Sequence, residues 1–248
     1  MLNGNLVARL PDYFTGESVM YTILGDNDVA SSCAALLRMT DCLQLVPEVT
    51  ARQLEGDDDF VVTEDRDNHD YVYDVDSLAS LAGSDFKRKR NKVNSLVRDY
   101  DGQLQTDVVS EVDESLAGEM DTVFGEWAVG SGKPEAESVT EQAAFDNLLA
   151  NRSDLDLRAT VVRIGGRAVA FSIHELCDPQ FAVCHFEKAL PVHEGLYPYV
   201  IQQAAKDLAA NGVRRVNWQQ DLGLPGLRYA KMSYRPVGFL KKYTITAA

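Results

Sequence analysis

The sequence of 248 residues predicts an α/β fold of the α+β type, built on a mixed sheet. Segments with helical periodicity alternate with short segments rich in β-branched and aromatic residues in both halves of the chain. The second half gives the clearer order, namely two helices, three strands, a helix, a strand, a loop and a last strand. The length is sufficient for one large domain or two small domains with a real core.

The second half supports this order element by element. The predicted helices cover residues 115–129, 138–149 and 199–210. The predicted strands cover residues 157–164, 168–174, 182–186, 215–218 and 239–245. A break at 130–134 separates the first two helices, and Gly165-Gly166 predicts a hairpin turn between the first two strands.

The first half is acidic and less regular. Its predicted strands cover residues 19–24, 60–63, 71–73 and 104–109, and its predicted helices cover 28–38, 76–81 and 86–100. We expect Asp76 to cap the second of these helices and Ser84 or Asp85 to cap the third. The third helix carries five cations between Lys87 and Lys92. They indicate either an RNA- or phosphate-facing surface or an ordinary solvated helix face.

The charge is distributed unevenly along a chain whose formal net charge is −14. Residues 1–124 hold 10 Lys and Arg against 25 Asp and Glu, whereas residues 210–248 hold seven cations and one anion, Asp221. The net charge argues against indiscriminate binding of nucleic acid. The basic C-terminal region favours a local anion site over a general polyanion-binding surface.

The composition also bears on cofactors and compartment. The four cysteines form no C-x-x-C pair and have no nearby His at metal-ligand spacing, so we expect buried reduced thiols and no metal. The first residues show no signal peptide, and no apolar run has the length of a transmembrane segment. These observations predict a cytoplasmic protein without a tightly bound cofactor.

The segment from Asn217 to Pro236 is the most informative part of the chain. It follows an apolar, β-prone run, contains Gly223, Pro225 and Gly226, and then places Arg228, Lys231 and Arg235 within about two turns. The carboxyl end of a strand is a common place for an anionic ligand in α/β proteins. The alternative is a surface loop with solvated basic residues.

Several motif blocks between roughly residues 60 and 245 resemble the family of phosphatidylglycerol lysyltransferase C-terminal-like proteins. The blocks are Asp67–Tyr73, Leu78–Gly83, Phe86–Asn94, His185–Ala189, Gly195–Tyr197, Asn217–Pro236 and Lys242-Tyr243. The element order is also similar to that of a GNAT acyltransferase domain, in which a splayed sheet opens a gap for an acyl donor. The resemblance implies two tandem GNAT-like modules, at residues 1–112, shortened or degenerate, and 113–248.

One departure from the family pattern concerns the end of the predicted strand 215–218. Family members usually carry an Arg-Glu pair directly after the asparagine that corresponds to Asn217, and this chain carries Trp218-Gln219. A positive charge and a carboxylate are therefore missing from this strand end.

The resemblance and the residue chemistry together give a set of candidate site residues. The candidate catalytic residues are Glu187, Asn217 and Tyr234. The candidate residues for binding the donor or another anion are Lys188, Arg228, Lys231, Arg90 and Asn91.

The expected roles follow from the side chains. Glu187 is the candidate general base, with Asn217 as a polarising amide and Tyr234 as an acid for the leaving group. Glu187 and Lys188 alternate on one strand, so only one of them faces a cleft, and the alternative for this pair is a buried ion pair or an edge-strand charge. Asp221 is expected to organise Arg228 or Lys231.

These assignments predict a transferase that moves an acyl or aminoacyl group to an amine or hydroxyl. The donor is expected to be aminoacyl-tRNA or acyl-coenzyme A, and the acceptor a small molecule or a lipid headgroup. Only Gly195 fits the glycine-rich loop that cradles the coenzyme A pyrophosphate in GNAT proteins. The alternative is a non-catalytic ligand-binding module that keeps the fold and an anion site. The sequence does not predict the oligomeric state.

Overall fold

The computed structural model describes residues 1–11, 19–131 and 135–248. The strands are β1 (Leu6–Pro11), β2 (Val19–Leu24), β3 (Leu43–Pro47), β4 (Phe60–Glu64), β5 (Asp70–Asp74), β6 (Leu104–Val109), β7 (Leu157–Ile164), β8 (Arg167–Asp178), β9 (Phe181–Ala189), β10 (Arg215–Asn217), β11 (Gly238–Leu240) and β12 (Lys242–Ala247). The helices are α1 (Val29–Leu36), α2 (Glu48–Ala51), α3 (Val75–Ser80), α4 (Lys87–Asp99), α5 (Glu114–Ser131), α6 (Glu135–Ala150), α7 (Leu196–Ala210) and α8 (Pro225–Met232).

These elements confirm the predicted α/β class with a large mixed sheet. From α5 onward the observed order is two helices, the strands β7 to β9, the helix α7 and the strand β10, as predicted. The last predicted strand is wrong in one respect, because residues 239–245 contribute to two strands, β11 and β12, that belong to different sheets. The predicted break at 130–134 lies partly outside the described residues.

The described chain divides into two compact units. The first unit comprises residues 1–71, 220–231 and 238–248. It contains the antiparallel pair β1–β2 and a three-stranded antiparallel sheet in the order β3-β12-β4. Its core combines side chains from α1 and both sheets, including Ile23, Cys33, Leu43 and Ile245.

The second unit comprises residues 72–219 and 232–237. It contains consecutive strands of a mixed sheet in the order β5-β10-β9-β8-β7-β6. β9 and β10 are parallel, and the other assigned pairs are antiparallel. Apolar side chains of α5, α6 and α7 pack on the central strands, with Phe124, Phe145, Phe171 and Val200 among the fully buried residues. The sheet and these helices therefore hold the residues of β9 and β10 in fixed positions.

Local sequence chemistry explains the turns and helix ends. Gly165 and Gly166 have φ values of 59° and 83°, which is the conformation that the tight β7–β8 hairpin requires. The prediction that Asp76 caps the helix at 76–81 is wrong, because Asp74 is the cap of α3 and accepts the Ser77 N–H at 2.9 Å. The predicted cap of α4 is also wrong, because Phe86 occupies that position without a side-chain hydrogen bond.

The compact units are discontinuous in sequence and differ from the predicted modules. The division into modules at residues 1–112 and 113–248 stays a prediction. All four cysteines are free thiols, of which Cys33 and Cys184 are buried and Cys177 is exposed. No helix within the described ranges has both the length and the apolar character needed to cross a bilayer.

Candidate functional site

The end of β10 marks the point where the parallel pair β9–β10 separates. Arg215, Val216 and Asn217 pair with Phe181, Ala182 and Val183, and β9 then continues to Ala189 without a further β10 partner. The edge of β9 beyond Val183 and the residues that follow Asn217 therefore border a gap in the sheet. Asn217 is buried at this position, as expected for a side chain with a fixed polar role.

Two side-chain amides fix the turn after Asn217, and one of them also binds β9. Asn217 Oδ1 accepts the backbone N–H of Gln219 at 2.6 Å, and Gln219 has a positive φ of 54°. Gln219 Nε2 donates to the Cys184 carbonyl at 2.7 Å. The glutamine thus occupies a backbone acceptor of β9 directly beyond the last paired residue.

An aromatic cluster lies next to this turn. The Trp218 ring centroid is 4.7 Å from that of Tyr73 and 5.3 Å from that of Tyr234, the latter in an edge-to-face arrangement. Tyr73 and Tyr234 are buried. The Lys89 ammonium lies 4.1 Å from the centroid of the Tyr234 ring. Trp218, which stands where the resemblance implies an arginine, therefore contributes to an aromatic wall in this chain.

Glu187 brings a carboxylate to the same part of the unit. It lies on β9 opposite Ser172 of β8 and is half-buried. Burial raises the pKa of Tyr234, and the charge of Glu187 raises it further. The same two causes, in the same order, raise the pKa of Tyr197. The carboxylate therefore lies near two phenols that keep their protons at neutral pH.

Lys188 has a different environment from Glu187, as the alternation along β9 predicts. It is buried, and its ammonium forms an ion pair with Glu141 Oε1 at 2.6 Å. The same ammonium lies 3.6 Å from the ring centroid of Trp127 and 5.2 Å from that of Phe124. This is the buried ion pair that the sequence left open as the alternative for this residue.

Arg90 and Asn91 lie on different sides of α4. The Arg90 guanidinium donates to the carbonyls of Leu81 and Gly83, so it closes the end of the α3 segment. Asn91 lines a surface groove of about 520 Å³ together with Lys87 and Arg88. The structure therefore brings Asn91, but not Arg90, to a surface that an anion can reach.

The start of α7 is closely covered by α4. Gly195 has a φ of 90°, and a Cβ atom at this position would lie 2.4 Å from the Lys92 carbonyl oxygen. The Leu196 N–H donates to the His193 carbonyl at 3.2 Å. Pro198, in the first turn, has no N–H to offer. This helix start therefore has few backbone donors left for a pyrophosphate.

The cations Arg228 and Lys231 belong to the first unit, where they surround Asp221. The Asp221 side chain is completely buried and accepts two N–H groups of Arg228 at 2.8 Å each, the Gly223 N–H at 2.9 Å and the Tyr71 hydroxyl. Burial raises the pKa of Asp221, but these donors lower it more, to about 2. Asp221 thus organises Arg228, as expected from the sequence.

Further groups complete this cluster. Asp67 accepts a second contact from Arg228 at 2.6 Å, and the Lys231 ammonium lies 5.7 Å from the Tyr71 ring centroid. Arg66 Nη1 lies 3.6 Å from Asp221 Oδ2, and the guanidinium stacks on Phe239 at 4.7 Å. Arg228 and Lys231 therefore approach the same Tyr71–Asp221 pair. Their predicted combination with Glu187 in one site stays a prediction.

The basic C-terminal region is largely neutralised by acidic residues from the first half of the chain. Each ion pair joins residues of the same unit. The pairs are Arg214–Asp76, Arg215–Asp74, Arg228–Asp67, Arg235–Asp85, Lys241–Glu64 and Lys242–Asp70. The excess of cations after residue 210 therefore reflects internal pairing more than a surface that awaits an anion.

The sequence did not identify several residues of these clusters. Tyr73 belongs to a predicted strand and Tyr197 precedes the predicted helix 199–210, but the sequence assigns neither of them a role. Lys89 is one of four consecutive cations. Helical periodicity is the signal that separates Lys89 from Lys87 and Arg88, because consecutive residues differ by about 100° around the axis. In the described part of the chain, no three His, Cys, Asp or Glu side chains are grouped in a way that would hold a metal ion.

Comparisons with known proteins identify the family. Residues 26–246 match the family described as phosphatidylglycerol lysyltransferase, C-terminal. A conserved protein of unknown function from Bacteroides thetaiotaomicron VPI-5482 has a TM-score of 0.83 and 26% identity over 100% of this chain and 84% of that chain. The C-terminal domain of a protein from Agrobacterium fabrum, proposed to be a lysylphosphatidylglycerol synthetase, has a TM-score of 0.69 and 12% identity over 99% of this chain and 82% of that chain.

An uncharacterized protein of Mycoplasmoides gallisepticum (strain R(low / passage 15 / clone 2)) is 22% identical over 179 residues, which are 71% of this chain. The aligned region covers 55% of that protein, so this chain spans about half of the length of the curated relative. The likeness to the Agrobacterium domain shows the fold alone, whereas the family match extends over most of the sequence. The chain belongs to the phosphatidylglycerol lysyltransferase C-terminal family.

Proposed function

We propose that the protein is a transferase that moves an aminoacyl or acyl group to an amine or hydroxyl acceptor. The observation that carries the proposal is the position of Glu187, a half-buried carboxylate near two protonated phenols beside the gap between β9 and β10. An acceptor amine or hydroxyl needs a base, and a leaving group needs an acid. Glu187 supplies the base, and Tyr234 supplies the acid.

The neighbouring residues support this chemistry through positioning. Asn217 is buried at the end of β10 and directs its amide oxygen to the Gln219 N–H, so the turn is fixed where the strands separate. The rings of Trp218 and Tyr234 pack edge to face beside this turn, and we propose that this apolar wall excludes water from the gap. Exclusion of water favours transfer to the acceptor over hydrolysis of the donor.

Aminoacyl-tRNA is the donor that the structure favours over acyl-coenzyme A. A coenzyme A pyrophosphate in a GNAT protein lies at the helix start that corresponds to α7, and the Gly195–Lys92 approach and Pro198 leave this start with few donors. Gln219 also occupies the Cys184 carbonyl on the β9 edge, where an extended donor arm would form hydrogen bonds. An aminoacyl ester presents a smaller group to the gap.

The test is the transfer of an aminoacyl group from aminoacyl-tRNA to a panel of amine and hydroxyl acceptors. Glu187→Gln keeps the size and removes the proton acceptor, so transfer should fall by roughly 10²- to 10⁴-fold. Binding of the donor should change little. Glu175→Gln is the matched control, because this carboxylate of β8 pairs with His185 at 2.7 Å. An equal loss of transfer in both variants, or none in Glu187→Gln, contradicts the role of Glu187 as base.

A non-catalytic binding module is the second candidate, and one observation favours it. The Gln219 side chain donates to the Cys184 carbonyl of β9, so the gap is partly closed by the protein itself. The same transfer assay decides between the candidates. Binding of aminoacyl-tRNA or acyl-coenzyme A without modification of any acceptor would support the binding module.

A further inference from the structure

Lys89 connects α4 to the short segment Met232–Val237 of the same unit. Its ammonium donates to the Ser233 carbonyl at 2.6 Å and to Ser233 Oγ at 2.9 Å. The same ammonium lies over the Tyr234 ring at 4.1 Å from the centroid. The side chain is half-buried, and hydrogen bonds from a charged donor are about twice as strong as neutral ones. Lys89 therefore holds both the backbone next to Tyr234 and the Tyr234 ring.

We propose that Lys89 is a positioning residue, which fixes the Tyr234 phenol in the orientation that proton transfer requires. The inference rests on the proposed function, in which Tyr234 is the acid for the leaving group. Lys89 itself contacts neither donor nor acceptor in this proposal. It acts through the Ser233 backbone and the face of the Tyr234 ring.

The contacts of Lys89 stabilise the segment Met232–Val237, whose backbone is strained. Arg235 has a positive φ of 57°, a conformation that is unfavourable for a residue other than glycine. The ion pair of Arg235 with Asp85 is 3.4 Å long, and both side chains are about 60% exposed, so it contributes little. The Val237 N–H donates to the Val72 carbonyl at 2.8 Å, three residues beyond Tyr234. Unlike these two contacts, Lys89 combines a charge, partial burial and direct contact with the Tyr234 ring.

The helix geometry explains why Lys89 has this role among four consecutive cations. Each residue of α4 turns by about 100° relative to the one before it. Lys87 and Arg88 line the surface groove, and Arg90 donates to the carbonyls of Leu81 and Gly83. Of these four side chains, Lys89 is the one that reaches Tyr234. Lys87 is therefore a control for the position of Tyr234, with the same charge on the same helix.

A small displacement of Tyr234 should reduce the rate of transfer and leave substrate binding intact. An error of about 1 Å in the position of a reacting group costs up to roughly 10²-fold in rate. We expect Lys89→Met to lower kcat by roughly 10- to 100-fold with an unchanged KM. Lys89→Arg keeps a cation and donors, so it should recover most of the loss. Arg98→Met, which removes an exposed cation from the end of the same helix, should have no effect.

Tyr234→Phe provides the decisive background for this experiment. If Lys89 acts through the phenol, Lys89→Met should cause no further loss of transfer once the hydroxyl is absent, because the two effects are not additive. An equal loss in the Tyr234→Phe background would overturn the proposal. If Tyr234→Phe alone leaves transfer unchanged, the acid role in the proposed function is wrong.

A fluorescence measurement tests the position of Tyr234 without any transfer. The sequence contains two tryptophans, so Trp127→Phe leaves Trp218, whose ring centroid is 5.3 Å from that of Tyr234, as the reporter. In this background Lys89→Met should shift the emission of Trp218 and increase its quenching by acrylamide, whereas Lys87→Met should do neither. Unchanged emission in Lys89→Met would overturn the proposal. If Lys89→Met does not fold, Lys89→Gln replaces it under the same criteria.

Discussion

Replacement of Asp221 by asparagine is the most direct test of the charged cluster in the first unit. The Asp221 carboxylate accepts two N–H groups of Arg228, the Gly223 N–H and the Tyr71 hydroxyl, and its side chain has no exposed area. The Asp221→Asn substitution would keep the shape of the side chain but direct N–H donors at the guanidinium. N–H donors of the asparagine would then face N–H donors of Arg228, at a side chain that has no exposed area.

The magnitude follows from the pKa of Asp221. The pKa of an aspartate in an unfolded chain is about 3.9, and that of Asp221 is about 2. Each tenfold change in proton affinity corresponds to about 1.4 kcal/mol, so the fold stabilises the ionised carboxylate by about 2–3 kcal/mol. The asparagine adds an unfavourable contact with Arg228. We therefore expect the free energy of unfolding to fall by about 2–4 kcal/mol.

Thermal unfolding, followed by circular dichroism, measures this loss. For a chain of this length, about 1 kcal/mol corresponds to roughly 2–4 °C, so the Tm of Asp221→Asn should be lower by roughly 4–16 °C. Asp67→Asn is the matched control, because Asp67 contacts the same guanidinium at 2.6 Å with a side chain that is 58% exposed. An exposed pair contributes about 1 kcal/mol at most. Equal losses in the two variants would refute the argument from burial.

The pH dependence of stability tests independently whether the ionised form of Asp221 stabilises the fold. Because the folded pKa of Asp221 is lower than the unfolded pKa, its contribution is complete above about pH 5 and is lost as the pH falls toward 2. The difference in stability between the wild type and Asp221→Asn should therefore shrink over this range. A difference that stays constant from pH 5 to pH 2 would show that the ionised form is not the origin of the stability.

Two further predictions concern packing. Gly195→Ala should lower the Tm by more than Gly166→Ala. Both glycines have positive φ, but only a Cβ atom at position 195 would meet another atom, the Lys92 carbonyl oxygen at 2.4 Å. Equal changes in Tm would contradict the close approach of α7 to α4. Lys188→Met should lower the free energy of unfolding by about 3–5 kcal/mol, because it removes the buried cation that pairs with Glu141. In denaturant unfolding, Lys188→Met combined with Glu141→Leu should recover most of this loss, and an equal loss in both variants would contradict the buried pair.

The fold could be predicted from the sequence where local signals were strong. The strand at 157–164 and the Gly165-Gly166 turn were predicted with the observed bounds, because the hydrophobic pattern and the turn residues agree there. The sequence does not predict the first strand, Leu6–Pro11, because it contains Arg9 and Pro11 and, among the described residues, pairs with β2 alone. The division of 239–245 between two sheets depends on long-range pairing that the local pattern does not contain.

The candidate site could be predicted by residue type but not by environment. Glu187 and Lys188 are adjacent, and the alternation of a strand shows that they face different sides. It does not show which side carries Glu141 and Trp127, the groups that surround the Lys188 ammonium. The sequence also does not show the partners of Arg90, because the carbonyls that it binds are placed by the path of the chain between α3 and α4.

The Trp218-Gln219 departure from the family pattern has a coherent structural meaning. From the sequence alone, the departure indicates that a cation and a carboxylate are missing from a strand end. In the structure the indole packs against Tyr73 and Tyr234, and the glutamine amide binds the Cys184 carbonyl. Two charges are thus replaced by an aromatic wall and a neutral hydrogen bond, which belong together because a buried charge without a partner would be costly beside the rings. Positions 218 and 219 therefore carry no charge, and the proposed function assigns the carboxylate of this site to Glu187 on β9.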